Sequence, residues 1–252
     1  GLSARLAVHP PEQPPYLATI DSESPLLAAV LTPPFFLTLA GQASTIALDM
    51  LIHNLHENGW SPPGVVGEVT LSEAFARRWS EATGEPFGVF MSQRIYQLRA
   101  VQLPVGIPGA LRIATLGDAP LVADWLHAFS AEALSPITLK GARAMAQQRI
   151  ANGEIFLWDD GAPVSMAGSA RPSRRGICIN AVYTPPAQRK RGYARACVAA
   201  LSQLLLGRGY EFCMLYTDLN NPTSNAIYQA IGYEPVTDSA MYRFGTELHG
   251  RA

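Results

Sequence analysis

The sequence predicts an α/β protein, built as mixed twisted sheet flanked by helices and organised as tandem halves. Apolar runs of strand length alternate along the chain with amphipathic stretches of helical spacing. The order hairpin, strand, helix, strand, helix, strand describes both Tyr16 to Leu98 and Glu154 to Phe244, the mark of a degenerate internal duplication. Between the halves, Val101 to Ala110 holds two prolines, two glycines and no charge, the composition of a connection between compact units. The predicted division is therefore a first domain over 1–103, a linker over 104–110 and a second domain over 111–252.

In the first half, Tyr16 to Ile20, a turn at Asp21-Ser22-Glu23-Ser24 and Leu26 to Thr32 read as a hairpin, followed by a strand from Phe35 to Leu39. Ile46, Met50, Leu51 and Leu55 recur at helical spacing within Thr45 to Asn58, which Gly59 stops. Val65-Val66 is a short strand. Leu71 to Thr83 is a helix with Phe75 and Trp79 on one side, closed by Gly84, and Phe87 to Leu98 returns to strand character.

The second half starts with a strand from Leu111 to Leu116 and helices from Asp118 to Leu134 and from Leu139 to Ala151. Asp159-Asp160-Gly161 is a turn signal between the strands Glu154 to Trp158 and Ala162 to Ala170. The strand Gly176 to Thr184, the helix Tyr193 to Leu206 with Ala194, Val198, Leu201 and Leu205 on one face, and the strand Phe212 to Thr217 make a right-handed parallel βαβ unit. Ligands in such sheets gather at the carboxyl ends of the strands. A short helix over Pro222 to Gly232, with Asn221 as its cap, and strands Tyr233 to Val236 and Met241 to Phe244 complete the chain.

At 252 residues and 48% hydrophobic content the chain has ample material for a core and reads as soluble and globular. A net charge of −1 argues against a general nucleic-acid or membrane-surface binder, so attraction to anions must be local. Three cysteines, Cys178, Cys197 and Cys213, fit buried thiols in a cytoplasmic protein better than disulfides. Leu2 to Tyr16 lacks the apolar run of a signal peptide, and Pro25 to Gly41, interrupted by Pro33-Pro34, is too short to span a bilayer. His53 and His56 stand three apart without a matching third ligand and read as a solvated helix face, so no metal is expected.

The stretch Val182 to Ala194 carries the chemistry. A strand ends at Pro185-Pro186, and a basic loop opens through Gly192 into a helix. Unpaired N–H groups at a helix start and the positive end of its dipole attract an anion. Gly192 has no Cβ to obstruct a phosphate, and Arg189, Lys190 and Arg191 supply cationic donors. The first half offers Gly41-Gln42-Ala43-Ser44-Thr45 at the corresponding place, without Arg or Lys.

Val182, Pro186, Arg189-x-x-Gly192-x-Ala194, then Asn221 seven residues before Tyr228, and Gly232-Tyr233, closely resemble the two signature motifs of the GNAT superfamily of acyl-CoA N-acyltransferases. The resemblance covers about Leu111 to Phe244. It implies that Gln188, Arg189, Lys190, Arg191, Gly192, Tyr193 and Ala194 hold the pyrophosphate of acetyl-CoA, the co-substrate. It further implies that Val182, with Tyr183 and Thr184, meets the pantetheine arm and helps polarise the thioester carbonyl, with Asn221 contacting the same arm. Tyr228 takes the place of the family's general acid, which protonates the departing thiolate.

The family often places a basic Glu on the strand before the loop. Here the outward positions of that strand are taken as Cys178, Asn180 and Val182, so Glu132, Asp218 or water is left to deprotonate the amine. Tyr228 is read as lying one step off a buried stripe marked by Ile227 and Ile231, free to point at a site. The expectation is direct acetyl transfer to a small-molecule or peptide primary amine by a monomer or homodimer, without nucleic-acid or membrane partners. A non-catalytic acyl-CoA-binding regulatory module is the alternative, and an RNA- or phosphopeptide-binding use of Arg171, Arg174, Arg175 and Arg195 with the loop cations is a third reading.

Overall fold

The computed structural model describes residues 14–21, 25–133 and 136–246, so the tip of the first predicted turn and the end of the helix expected to reach Leu134 lie outside the described residues. The chain forms two compact units whose segments are not contiguous in sequence. One takes the residues up to Ile95 together with 217–221 and the chain from Val236; the other takes Tyr96–Tyr216 and Pro222–Pro235.

The first unit contains β1 (Tyr16–Asp21), β2 (Pro25–Leu31), β3 (Leu37–Gly41), α1 (Thr45–Glu57), β4 (Gly64–Glu68), α2 (Val69–Thr83), most of β5 (Phe87–Leu98) and most of the last strand, β11 (Glu234–Phe244). β1, β2 and β3 are antiparallel neighbours, β3 and β4 are parallel, and β11 closes antiparallel on β4 with Tyr242 opposite Val65. The N-terminal sheet therefore uses the chain's last strand. β11 is continuous where two strands were expected. The polar Thr-Asp-Ser stretch that reads as a break is accommodated in the ladder, because Asp238 accepts two bonds from Arg94 at 2.6 and 2.9 Å and Ser239 pairs with Glu68.

Stacking of Phe75 on Trp79, 6.0 Å between centroids, fills the core under α2 as its spacing predicts. In α1 the expected stripe is shifted: Ala47, Leu48, Leu51, Ile52 and Leu55 are buried, whereas Ile46 and Met50 are 73% and 55% exposed. Leu51 and Leu55 alone could not distinguish the two faces, since each lies within reach of both stripes.

The second unit contains β6 (Ala110–Ile113), a 3₁₀ turn (Leu116–Asp118), α3 (Ala119–Glu132), α4 (Leu139–Ala151), β7 (Ile155–Asp159), β8 (Pro163–Ala170), β9 (Gly176–Tyr183), α5 (Tyr193–Gly207), β10 (Phe212–Asp218) up to Tyr216, and α6 (Pro222–Ile231). Its strands run β10-β9-β8-β7-β6, antiparallel except for the parallel β9–β10 pair that α5 connects. Both faces are covered. Phe156 and Trp158 of β7 pack with α5, and the alternate Ile155 and Leu157 pack with α3 and α4. That two-sided burial is why the run reads as continuously apolar. Each fully buried Leu on α5, such as Leu201 and Leu205, contributes roughly 1.5–3 kcal/mol.

β6 ends at Ile113, short of the expected Leu116, because Asp118 folds the chain into the 3₁₀ turn. Its carboxylate takes two bonds from Arg112, at 2.8 and 2.9 Å, and bonds from the backbone N–H and hydroxyl of Thr115. Arg112 also reaches Asp159 at 2.8 Å, so one guanidinium ties β6, the turn and β7. These donors hold the Asp118 carboxyl well below the usual carboxylate range. A carboxyl depressed by folding contributes stability that is fully present above its unfolded value, near 3.9, and is lost as pH falls through and below it. Asp118→Asn is expected to destabilise the protein by about 1–2 kcal/mol at neutral pH, less than a fully buried charged bond because Arg112 is 35% exposed. In urea unfolding the gap between wild type and variant should narrow below about pH 4.

Candidate active site

The site begins where β9 and β10 part. Their parallel ladder has three rungs, Phe212–Gly176, Cys213–Ile177 and Met214–Cys178, although β9 continues to Tyr183 and β10 beyond Met214. Above the last rung the two strands are no longer partners. On its other edge β9 stays paired with β8, but the register slips between Gly168–Asn180 and Met166–Tyr183. Three residues of β9 span what two of β8 span. This is a β-bulge, centred on Ala181 with φ +49°, a left-handed conformation that costs a non-glycine residue about 1–2 kcal/mol.

The bulge reverses the strand's faces. Ile177 and Ile179 pack with α5, whereas Ala181 and Tyr183, at the same odd spacing, pack with α3 and α4. Val182 consequently packs on the α5 side, not on the face of Cys178 and Asn180 as uninterrupted alternation predicts. No sequence signal marks this, since Ala181 is not a residue that favours positive φ.

The loop beyond β9 forms as its composition suggests. Pro186–Gln188 is a 3₁₀ turn, Lys190 has φ +63°, and Gly192, at φ +83°, is the N-cap of α5 with no side chain to bond the first helical donors. The N–H groups of the first turn, including those of Tyr193 and Ala194, have no intrahelical acceptor and lie at the positive end of the helix dipole. A Cβ on Gly192 would lie 2.7 Å from Cδ1 of Ile107. Ile107 belongs to the segment 101–110, whose Pro108 carbonyl accepts from the Trp158 indole at 2.8 Å, so this connection is pinned beside the loop.

The basic side chains are held in place. Arg189 donates to the Thr184 carbonyl at 2.9 Å and to Glu132 at 2.7 Å, and lies over the Tyr183 ring. Arg191 donates to Gln188 at 2.7 Å and covers Tyr193. Thr184 is joined through its hydroxyl to Ser165 at 2.9 Å. Tyr193 is buried and donates to Asp160 at 2.6 Å, a contact that raises its pKa. Lys190 is exposed. Glu132 thus serves the loop arginine, and Arg175 pairs with Glu211. Asp160, visible in the sequence only as part of a turn, is the residue that fixes the first tyrosine of the helix.

Tyr228 lies on the buried face of α6 beside Ile231, with Ile227 only half-buried, so the stripe is turned one step from the expected one. Its ring meets Tyr233 edge-on, 5.9 Å between centroids, and belongs to the same cluster as Tyr193, with Val182 packed against it. Tyr233 is hydrogen-bonded to Ser202 at 2.9 Å, and among the described residues the fully buried side-chain polar atom without a partner is Arg195 Nε, not the Tyr228 hydroxyl. Burial pushes the Tyr228 pKa up to about 12. Tyr96, buried on β5, donates to Asn225 at 3.0 Å and accepts from Gln229 at 3.3 Å, which fixes α6; nothing in its local sequence marks this role. Asn221 and Asp218 lie in the segment 217–221 of the other unit, where the Asn221 N–H donates to the Asp218 carbonyl.

Residues 122–233 match the model of the Acetyltransferase (GNAT) family. Solved GNAT proteins share the fold across both halves. A GCN5-related N-acetyltransferase from Sphaerobacter thermophilus aligns over 99% of this chain and 88% of its own, with TM-score 0.65 and 15% identity. A tandem GNAT protein from the clavulanic acid biosynthesis pathway aligns over 92% and 84%, with TM-score 0.55 and 13% identity. A curated relative, the mycothiol acetyltransferase of Beutenbergia cavernae, is 26% identical over 57% of this chain. The match spans about half the length of that relative, 52%.

Coenzyme A is the ligand with which to test the loop, since the family uses its acetyl ester as co-substrate. Gly192→Ala would force an alanine into positive φ, at about 1–2 kcal/mol, and against Ile107. Coenzyme A affinity by calorimetry is expected to drop at least tenfold, and an unchanged affinity would separate the loop from binding.

Proposed function

We propose that the protein transfers the acetyl group of acetyl-CoA to a primary amine by direct attack, without a covalent enzyme intermediate. The observation that carries this reading is the early end of the β9–β10 ladder at Cys178–Met214, which opens a slot between two strands directly before the Gly192 loop. The loop and the first turn of α5 would take the pyrophosphate, and the bulged Ala181–Val182 backbone would meet the pantetheine arm and thioester. That a relative is a mycothiol acetyltransferase is in keeping with acetyl as the transferred group.

The buried Tyr228 is suited to the departing sulfur. With its pKa near 12 against about 8.5 for a thiol, handing over the proton completely is uphill by roughly 5 kcal/mol. Donating a hydrogen bond to the developing thiolate needs no such transfer and contributes about 1.5–3 kcal/mol. Tyr228 is thus a hydrogen-bonding stabiliser of the leaving group, a narrower role than that of general acid.

The N-terminal half serves as scaffold and carries no second coenzyme site. Where Gly192 leaves the first helical donors open, Ser44 caps α1 and accepts from the Ala47 N–H at 3.5 Å. A Cβ at Gly41 would lie 2.2 Å from the Leu26 carbonyl oxygen, so this glycine faces a neighbouring strand and not an open cradle.

Tyr228→Phe is expected to lower turnover by about 10–100-fold with little change in the KM for acetyl-CoA. The wild-type rate should rise with pH as the acceptor amine loses its proton and then stay level through pH 10, since Tyr228 keeps its own proton until about pH 12. An alkaline decline near pH 9 would argue against the buried phenol as donor. Calorimetry should find one equivalent of coenzyme A per chain, and two would contradict the scaffold role of the first half.

A further inference from the structure

The open stretch of β9 presents a second face, away from Val182 and Tyr228. Between the last rung at Cys178 and the bulge at Ala181 stands Asn180, exposed, on the side of α3 and α4. Its side-chain oxygen accepts from the Arg149 guanidinium at 2.8 Å. Arg149 is only 13% exposed, donates to the Ser169 carbonyl at 3.3 Å and pairs with Glu154 at 3.4 Å. The guanidinium lies against Gly168, the cross-strand partner of Asn180, where an added Cβ would sit 2.3 Å from its terminal nitrogen. Arg149 has thus been given room to hold Asn180.

Which way the amide points follows from this contact. Arginine has donors and no acceptor, so Oδ1 must face Arg149 and Nδ2, with both hydrogens, must face away. The outward end of Asn180 is a hydrogen-bond donor that cannot accept a proton. Across the slot, Met214 and Tyr216 of β10 lie on this same face, opposite the α5-facing Cys213 and Leu215. Tyr216 is 40% exposed and within electrostatic reach of Cys178 and Arg171. Cys178, Met214 and Tyr216, the strand positions nearest Asn180 on this side of the slot, carry no carboxylate, and the next β10 position in that alternation is Asp218, the strand's last residue.

We infer that Asn180 selects the acceptor: its Nδ2 donates to an oxygen carried close to the reacting amine, so that amines bearing a neighbouring carbonyl or hydroxyl oxygen are preferred to plain alkylamines and polyamines. The inference rests on the acetyl-transfer reading. With coenzyme A on the α5 side of the slot, the acceptor enters from the α3 and α4 side. Asn180 positions it there and takes no part in moving its proton.

The test compares glycinamide, which carries a carbonyl oxygen beside the reacting aminomethyl group, with propylamine, which carries an alkyl chain there, and reads the change in their ratio between variants so that their difference in basicity cancels. For wild type, Asn180→Asp and Asn180→Ala, kcat/KM for each amine and KM for acetyl-CoA are measured by thiol release. Asn180→Asp keeps an acceptor for Arg149 but removes the outward donor, so it separates recognition from a structural role. The expected result is a glycinamide-to-propylamine ratio reduced about tenfold in both variants, with KM for acetyl-CoA unchanged. An unchanged ratio in a folded Asn180→Asp overturns the inference while leaving acetyl transfer intact. A ratio lost in Asn180→Ala but kept in Asn180→Asp shows that Asn180 only supports Arg149, and also overturns it. If the wild type acetylates neither amine nor any other in a wider panel, the acetyl-transfer reading fails first and the inference with it.

Discussion

The arrangement of the site depends on one extra residue in β9. A strand that paired fully with β10 would bury its ends in a continuous sheet and leave no slot, and a strand that kept strict alternation would place Val182 with Asn180. The bulge at Ala181 changes the second of these, and the short ladder changes the first. A residue held at φ +49° in a strand persists only if its surroundings over-determine it. Here Ala181 is buried under α3 and α4, and Tyr183 beyond it packs against Trp125, so the displaced backbone is anchored on both sides.

Around that slot, buried tyrosines are paired with other side chains. Tyr96 has Asn225 and Gln229, Tyr193 has Asp160, and Tyr233 has Ser202. Each contact fixes an element of the site: α6, the start of α5, and the strand after α6. Tyr228 sits in the same cluster, buried enough that desolvation raises the pKa of its phenol.

Much of this was legible in the sequence, for identifiable reasons. Gly192 and its basic neighbours, the parallel β9–α5–β10 unit, and the Phe75–Trp79 face all follow from local chemistry or periodicity, and the structure has them. What was illegible depends on contacts between distant segments. Ala181 carries no turn signature, Ile107 meets Gly192 only because 101–110 is pinned by Trp158, and β11 runs through a turn-like Thr-Asp-Ser because Arg94 is waiting for Asp238. The buried face of α6 escapes the sequence for a related reason. Periodicity gives an apolar stripe but not its centre, and Ile227 and Tyr228 are adjacent.

The proton inventory of the site bears on the choice of acceptor independently of Asn180. Glu132 is bonded to Arg189, and the β9 positions below the bulge are Cys178, whose thiol burial pushes up, and an amide that cannot take a proton. Asp218, at the end of β10, is the other carboxylate considered for the proton, and an acceptor that does not use it must arrive uncharged or give its proton to water. At pH 7.5 roughly a third of an α-amine of pKa about 7.8 is free base, against about one part in a thousand of a lysine-type amine near 10.4. Where no side chain takes the proton, weakly basic amines are favoured by more than two orders of magnitude in reactive concentration. A carbonyl beside an amine lowers its basicity. The same oxygen that Asn180 would read thus lets the acceptor enter in its reactive form, so the outward amide and the acceptor's low basicity favour one class of substrate.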